Sequence, residues 1–387
     1  MYMMYKKWNN IIFLSLLCLS VCLSGCSAGE QARSSQPAVS ASEPPSQEET
    51  TASSLPEAGT EITTNGGEVI PVSSLEHQDE AADSVVYYTS QITPEAMVAV
   101  YEALGEGLSG ENIAVKLSTG EPPASNYLDP ALIADLVSLV DGTIVENNTA
   151  YGGQRSSTAM HYQVAEDHGF TEIADFVVLD EDGSVTLPVE GGTQLTENLV
   201  GAHFPEYDGY LVLSHFKGHA MAGMGGAIKN ISIGMASQEG KCLIHTAGES
   251  HTSPWGGEQD PFLESMAEAG KSVMDALDGN MLFVSVMNHL SVDCDCDGNP
   301  AEPDMHDIGI LASADPVALD QACVDLVYAS QDDTASLIER MESRNAYHVL
   351  EHGEDIGLGS RTYRLVSIDA RGVGHPAPGI CVPLVLL

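Results

Sequence analysis

His215-Phe216-Lys217-Gly218-His219 sets two imidazoles around an amine, and a loop containing Gly223, Gly225 and Gly226 leads from it to Lys229-Asn230. Imidazoles ligate metals or move protons, and amines hold anions or act as acids and bases, so these types suit several chemistries. Their scarcity sharpens the reading. The chain carries 14 Lys+Arg against 56 Asp+Glu, a formal net charge of −42, yet Lys217, Lys229 and Lys241 share one window with His215, His219, His245 and His251. A solvated surface seldom collects its few cations around a glycine loop, so this window is the expected functional centre. Lys217 and His219 are the candidate catalytic groups, and Lys116, Arg155, Lys229, Asn230 and Lys241 the candidate substrate-binding groups.

A second constellation is Asp293-Cys294-Asp295-Cys296-Asp297-Gly298, shortly after His289. Cysteines two apart in extended chain face the same way, so Cys294 and Cys296 with His215, His219 and His289 are candidate ligands for zinc or iron. The aspartates also spell the oxygen-ligand spacing of a calcium loop, with Asp304 at its last position, although Pro300 interrupts it. A disulfide or a metal-free acidic loop are the other readings of the same residues. Arg155 follows a glycine turn and either binds a substrate carboxylate or forms a structural ion pair. His161 and His168 bracket one helix and read as packing or capping groups, and Cys323 lies on the apolar stripe of its helix. There is no G-x-S-x-G elbow and no C-x₂-C-x₂-C run, which leaves serine hydrolysis and a ferredoxin-type cluster without a motif.

These residues need a frame. Short apolar runs at 85–88, 113–117, 142–145, 176–179, 210–213, 281–286 and 307–311 read as strands. Amphipathic stretches at 94–104, 130–140, 158–168, 261–277 and 316–329 read as helices, two of them opened by Asp129-Pro130 and Asp315-Pro316, a capping carboxylate before a proline. The alternation predicts an α/β fold, a mostly parallel sheet flanked by helices, as one large domain or two intimately joined lobes over 84–387. Ligands of such sheets sit beyond the carboxyl ends of strands, where 116–126, 215–230 and 289–297 fall. A helix starting near Ala227 would aim its first amides at an anion.

Ahead of that domain, Lys6 and Lys7 precede an apolar run at 11–23 that ends in Leu23-Ser24-Gly25-Cys26. This is the pattern of an export signal, and it resembles the lipobox of bacterial lipoproteins, in which Cys26 would carry the lipid that holds the protein to a membrane outside the cytoplasm. Residues 26–83, rich in Ser, Pro, Glu and Thr, read as a disordered tether. The acidity argues against nucleic acid and anionic headgroups as partners. After the signal and Cys26, five cysteines remain, an odd number that cannot all pair within the chain.

Taken together, Lys217-Gly218-His219, Lys229-Asn230, Gly240-Lys241 with His245, and Asp315-Pro316-Val317-Ala318-Leu319-Asp320 resemble domain-of-unknown-function family 362. Lys116 with Gly120-Glu121-Pro122, and Asn148-Thr149-Ala150-Tyr151 with Arg155, fit the same pattern, so the likeness runs over about 84–370. It implies an α/β fold and the same site. Many members carry an appended pair of four-iron ferredoxin motifs, which this sequence lacks. The leading expectation is an anchored protein that binds a metal ion or a metal-bearing cofactor, an iron–sulfur centre included, in a cleft lined by His, Lys and Cys. A metal-free enzyme acting on a small anionic ligand, or a lipoprotein that only captures such a solute, are the rivals.

Overall fold

The structure, a computed structural model, describes residues 59–105 and 107–369. Its strands are β1 (Glu61–Thr63), β2 (Val69–Pro71), β3 (Val85–Thr89), β4 (Ile113–Lys116), β5 (Thr143–Glu146), β6 (Phe176–Val178), β7 (Ser184–Pro188), β8 (Glu197–Gly201), β9 (Gly209–His215), β10 (Lys217–His219), β11 (Gly223–Gly225), β12 (Met281–Met287), β13 (Gly309–Ser313) and β14 (Arg364–Ser367). The helices are α1 (Pro94–Glu102), α2 (Pro130–Leu139), α3 (Thr158–Asp167), α4 (Ala227–Ile231), α5 (Gln238–His245), α6 (Gln259–Ala276), α7 (Pro316–Ala329), α8 (Ala335–Ser343) and α9 (His348–Asp355). Every apolar run read as a strand is one, and the five expected helices form within a residue or two of their expected ends.

Eight strands make one sheet in the order β14-β3-β13-β12-β9-β4-β5-β6. All run the same way except β13, which is antiparallel to both β12 and β3. The fold is thus α/β with a mostly parallel sheet, and the strands beside the site are buried on both faces, as β12 is along its whole length. Alternation along β9 sends Tyr210 and Val212 to one core and Leu211 and Leu213 to the other. The second core takes α1 and α2 through Met97, Val100, Ile133 and Leu136, whereas the first takes α4, α6, α7 and α9. Each such aliphatic side chain, fully buried, contributes roughly 1.5–3 kcal/mol.

Helix starts are fixed as the sequence implies. The Asp129 carboxylate accepts from the Ala131 amide, and Asp315 accepts from the Val317 and Ala318 amides, each just before a proline at the first helical position. Two departures concern the ends of the domain. Residues 59–83 were expected to belong to the tether, but β1 pairs with β2, and Ile62, Ile70, Val72 and Leu75 are buried in the first core. Four apolar side chains spaced through a polar stretch are enough to dock it, because its backbone bonds and the sheet edge supply the rest. At the other end α8, α9 and β14 had no expectation; β14 adds to β3 in parallel and closes that edge. The export signal, Cys26 and the first half of the tether lie outside the described residues.

In chain order β4 is followed outward by β5 and β6, and the chain then returns to place β9 on the opposite side of β4. The gap between β4 and β9 is therefore a topological switch point, where the carboxyl ends of two neighbouring strands diverge into connections that leave in opposite directions.

Candidate functional site

A cavity of about 110 Å³ lies at this switch point. Its walls come from the ends of β4 (Lys116, Ser118), β5 (Glu146, Asn147) and β9 (Ser214, His215), from Tyr151 and Arg155 in the loop after β5, from Lys229 and Asn230 of α4, from Lys241 of α5, and from Cys294, Asp295 and Cys296.

The cations divide into two kinds. Arg155, 2% exposed, is held by carboxylates: its Nη1 reaches Glu146 Oε1 at 2.7 Å and its Nε reaches Glu121 Oε2 at 3.2 Å. Its structural reading is therefore the observed one, although it still lines the wall. Glu146 also accepts from the Thr119 amide and hydroxyl and pairs with His161 Nε2 at 3.0 Å. Burial pushes the Glu146 carboxyl up, but Arg155 and then His161 outweigh it and hold the group well below the usual carboxylate range.

The three lysines have no carboxylate within ion-pairing distance among the described residues. Lys116 donates to the Leu117 carbonyl at 2.7 Å and to Asn230 Oδ1 at 3.1 Å, and Asn230 in turn donates to the Leu213 carbonyl, tying α4 to the end of β9. Lys241 donates to the Ala236 carbonyl at 2.5 Å. The Lys229 amine makes no hydrogen bond with any described residue. Burial pushes Lys116 down to about 7 and Lys229 and Lys241 down to about 8, with the neighbouring cations adding to the shift. Beside them Asn147, 1% exposed, leaves both its amide nitrogen and its amide oxygen without a partner. Leaving a buried polar atom unpaired costs about 1–3 kcal/mol, so such an amide at a cavity wall marks a place where another molecule completes the bonding.

Residues 215–219 are split between two strands. His215 ends β9 and faces Asp295 Oδ2 at 3.2 Å and the Asn288 carbonyl at 2.8 Å. Both ring nitrogens are thus turned to protein oxygens, and His215 is not among the residues whose ligand atoms converge, so its expected ligand role does not fit. Lys217, which starts β10 two residues past the end of β9, donates to Asp295 Oδ1 at 2.7 Å and to the Asn126 carbonyl at 2.5 Å. Burial raises the Asp295 carboxyl, and His215 and Lys217 together bring it below its ordinary value. Lys217 and His219, read as the catalytic pair, both stand behind the cavity wall: Lys217 acts through Asp295, and His219 Nδ1 accepts from the Ala222 amide at 2.9 Å inside the β10–β11 hairpin. Burial, then the charge of Lys229, drives the His219 imidazole well below its ordinary value. His245 is buried against Phe262, and His251 is an exposed partner of Glu239.

Cys294 and Cys296 are joined as a disulfide on the cavity wall, and Cys242 and Cys323 are free and buried elsewhere. His219, Cys294 and Cys296 each place one ligand atom within 4.8 Å of the others, so they form a group able to hold a metal ion. It would do so with the sulfurs reduced, because the disulfide offers no thiolate. Iron–sulfur clusters are commonly held by four cysteine or histidine ligands, and among the described residues this group brings three. His289 does not join it: the chain reverses there at a positive φ of 47°, which leaves His289 on the exposed side. The calcium reading fails for a related reason. Asp293 turns to Arg340, Asp295 to Lys217 and His215, and Asp297 to the Asn299 amide, so the acids diverge. The anion-binding helix start is likewise taken. α4 is a five-residue helix whose Ala227 and Ile228 amides donate to the Asp320 carboxylate at 2.7 and 2.9 Å.

Glu146 and Asn147 escaped the sequence reading, which had Tyr151 only as part of the family pattern and Asp295 only as one acid of the calcium-loop spacing. Glu146 and Asn147 had a signal, since polar residues that directly follow a buried parallel strand face its carboxyl end. Asp295 had none separable from its acidic neighbours.

Among solved structures the chain is similar to the lactate racemase apoprotein from Thermoanaerobacterium thermosaccharolyticum, at 13% identity over 70% of this chain and 62% of that one, with a TM-score of 0.39. It is also similar to a protein from Thermotoga maritima, at 12% identity over 69% of this chain and 60% of that one, with a TM-score of 0.35. The chain thus spans less than two thirds of either. No curated protein matches it by sequence. A family model described as domain of unknown function (DUF362) matches residues 113–325, from the start of β4 into α7, and so covers every wall of the cavity and more than half of the sequence. The chain belongs to the DUF362 family.

Proposed function

We propose that the cavity between β4, β5 and β9 binds a small organic anion, a carboxylate or phosphate ester, in a protein that its lipidated Cys26 holds to a membrane outside the cytoplasm. One observation carries the reading: Lys116, Lys229 and Lys241 are gathered at a single cavity with no carboxylate partner among the described residues, beside an Asn147 amide that none of those residues satisfies. Burying amines without a counter-ion is costly, and an anion seated among them supplies that counter-ion while Asn147 gives and accepts a hydrogen bond. Lys229, partnerless and held at about 8, is the group suited to exchange a proton with the ligand near neutral pH. Arg155, fixed by Glu121 and Glu146, orients rather than reacts.

The test is thermal unfolding of the purified protein with inorganic phosphate and a panel of small mono- and dicarboxylates, beside Lys229→Met and, as a surface control, Lys271→Met. Stabilisation in the parent and the control that vanishes in Lys229→Met is the expected result. Indifference of the parent to every anion sinks the reading. Product formation by the same ligand separates an enzyme from a capture protein. Anchoring is tested separately: Cys26→Ala should move the protein from the membrane fraction to the soluble one.

A metal is the second reading, supported by the mutual distance of the His219, Cys294 and Cys296 ligand atoms. These three would hold a soft or borderline ion such as zinc, which would supply a Lewis acid at the cavity wall. Metal content measured on protein purified without oxygen, with and without reductant, decides it. Stoichiometric metal only in the reduced sample supports the site, and none in either removes it.

A further inference from the structure

The pair Cys294 and Cys296 is joined across a single intervening residue. A disulfide that closes so short a loop removes little freedom from the unfolded chain, so holding the fold together is a weak explanation for it. Its placement suggests chemistry instead. Both cysteines are partly exposed and both line the cavity, whereas Cys242 and Cys323 are buried. The residue between them, Asp295, is buried and clamped by Lys217 and His215, so the loop carrying the two sulfurs is pinned at its centre while the sulfurs stay accessible. The two are also unlike. The Cys296 amide points at Cys294 Sγ at 3.3 Å, which gives that sulfur a donor able to stabilise negative charge.

We propose that Cys294 and Cys296 form a redox-active pair that exchanges with a dithiol at the mouth of the cavity. In the forward direction a thiolate of the dithiol attacks Cys296 Sγ. The Cys294–Cys296 bond breaks, and its electron pair leaves on Cys294 Sγ beside the Cys296 amide. The second thiolate of the dithiol then attacks its own partner sulfur in the mixed disulfide and releases Cys296. Two electrons and two protons pass: the dithiol becomes a disulfide, and Cys294 and Cys296 become thiols. Asp295 is a positioning residue here, since it holds the loop and touches neither sulfur's partner. The inference is independent of the anion reading, for it needs only the accessibility and asymmetry of the two sulfurs.

The test uses the folded protein without oxygen. It is incubated with dithiothreitol or with a reduced thioredoxin-like protein, quenched with N-ethylmaleimide, and the peptide holding Cys294 and Cys296 is weighed. Double labelling of that peptide under native conditions is expected, with the Cys242 and Cys323 peptides unlabelled. Reduction by the protein dithiol identifies a protein donor, and reduction by dithiothreitol alone identifies a small dithiol; either supports the proposal. Labelling that appears only after denaturation overturns it. Attack at Cys296 also predicts that Cys294→Ser, mixed with the oxidised donor, accumulates at least about tenfold more mixed disulfide than Cys296→Ser. Equal trapping by the two variants removes the assigned order of attack and, with it, the asymmetry on which the proposal stands.

Discussion

Two clusters of buried charge sit on this one fold, and they are built differently. Around Asp325 every group is matched. The carboxylate accepts from the His77 amide and ring, from Gln321 and from the Tyr363 hydroxyl, and Arg361 donates to Gln321 and to the far nitrogen of His77. That cluster joins the 59–83 segment, α7 and the residues that lead into β14, and it closes on itself. At the switch point, by contrast, Arg155, Glu146, His215 and Asp295 are matched, while among the described residues three lysines lack a carboxylate and Asn147 lacks any partner. Burial is similar in both places, so the difference lies in completeness. A finished network holds elements together, whereas an unfinished one, placed where strand ends diverge, is arranged for something that is not the protein itself.

That contrast can be broken most directly at Asp325. Asp325→Ala should destabilise the protein by about 3–5 kcal/mol in denaturant unfolding, because it strands Tyr363, Gln321 and the His77 ring together, and it should leave anion affinity unchanged. A loss of affinity of the same size would mean that the two clusters are one. Next in size is Lys229→Met. Anion affinity should fall about 100-fold, some 2.7 kcal/mol by titration calorimetry, while the ligand-free protein keeps or gains stability, since an unpaired buried amine is removed. A destabilised ligand-free variant would show that Lys229 is paired in the fold after all.

Glu146→Gln sits between these extremes, because Glu146 belongs to the matched part of the unfinished cluster. It should cost about 2 kcal/mol, from the loss of partners for Arg155 and His161. The sign with pH follows from its lowered carboxyl: the stability it contributes is present above the ordinary value of 4.5 and is lost as pH falls through the folded value. Acid unfolding of the parent should therefore be steeper than that of Glu146→Gln. The smallest effect is the pH dependence of binding. An anion draws protons onto Lys116, Lys229 and Lys241, so above 8 affinity should fall by up to about tenfold per pH unit for each proton taken up. The ligand-free protein should move the opposite way, because between the lowered folded values and the ordinary 10.5 the unfolded chain binds more protons. Affinity that is flat from pH 7 to pH 10 would mean that these amines do not face the ligand.

Much of the frame could be read from the residues. Continuous apolar runs become strands buried on both faces, and Asp129-Pro130 and Asp315-Pro316 start helices where such pairs should. Lys229 and Lys241, two of the few basic residues of the chain, and His215 do line the cavity. Pairing was not legible. Lys217 looks like Lys229 in sequence, and only a carboxylate 78 positions away makes one a strut and the other an open amine. Nor could spacing tell that His289 turns outward, since a single left-handed residue decides it. Residues 59–83 and the elements after 330 were obscured because a few buried side chains scattered among polar ones leave no periodic trace.

The route of the chain through the sheet has a last consequence. Walls drawn from Lys116 near one end of the family domain and from Cys296 near the other meet only with β9 beside β4, although β5 and β6, on the far side of β4, lie between the two strands in the chain. Recognition is therefore a property of the finished molecule alone. Anion binding therefore reports that β4, β5, β9 and the loop holding Cys296 are all in place.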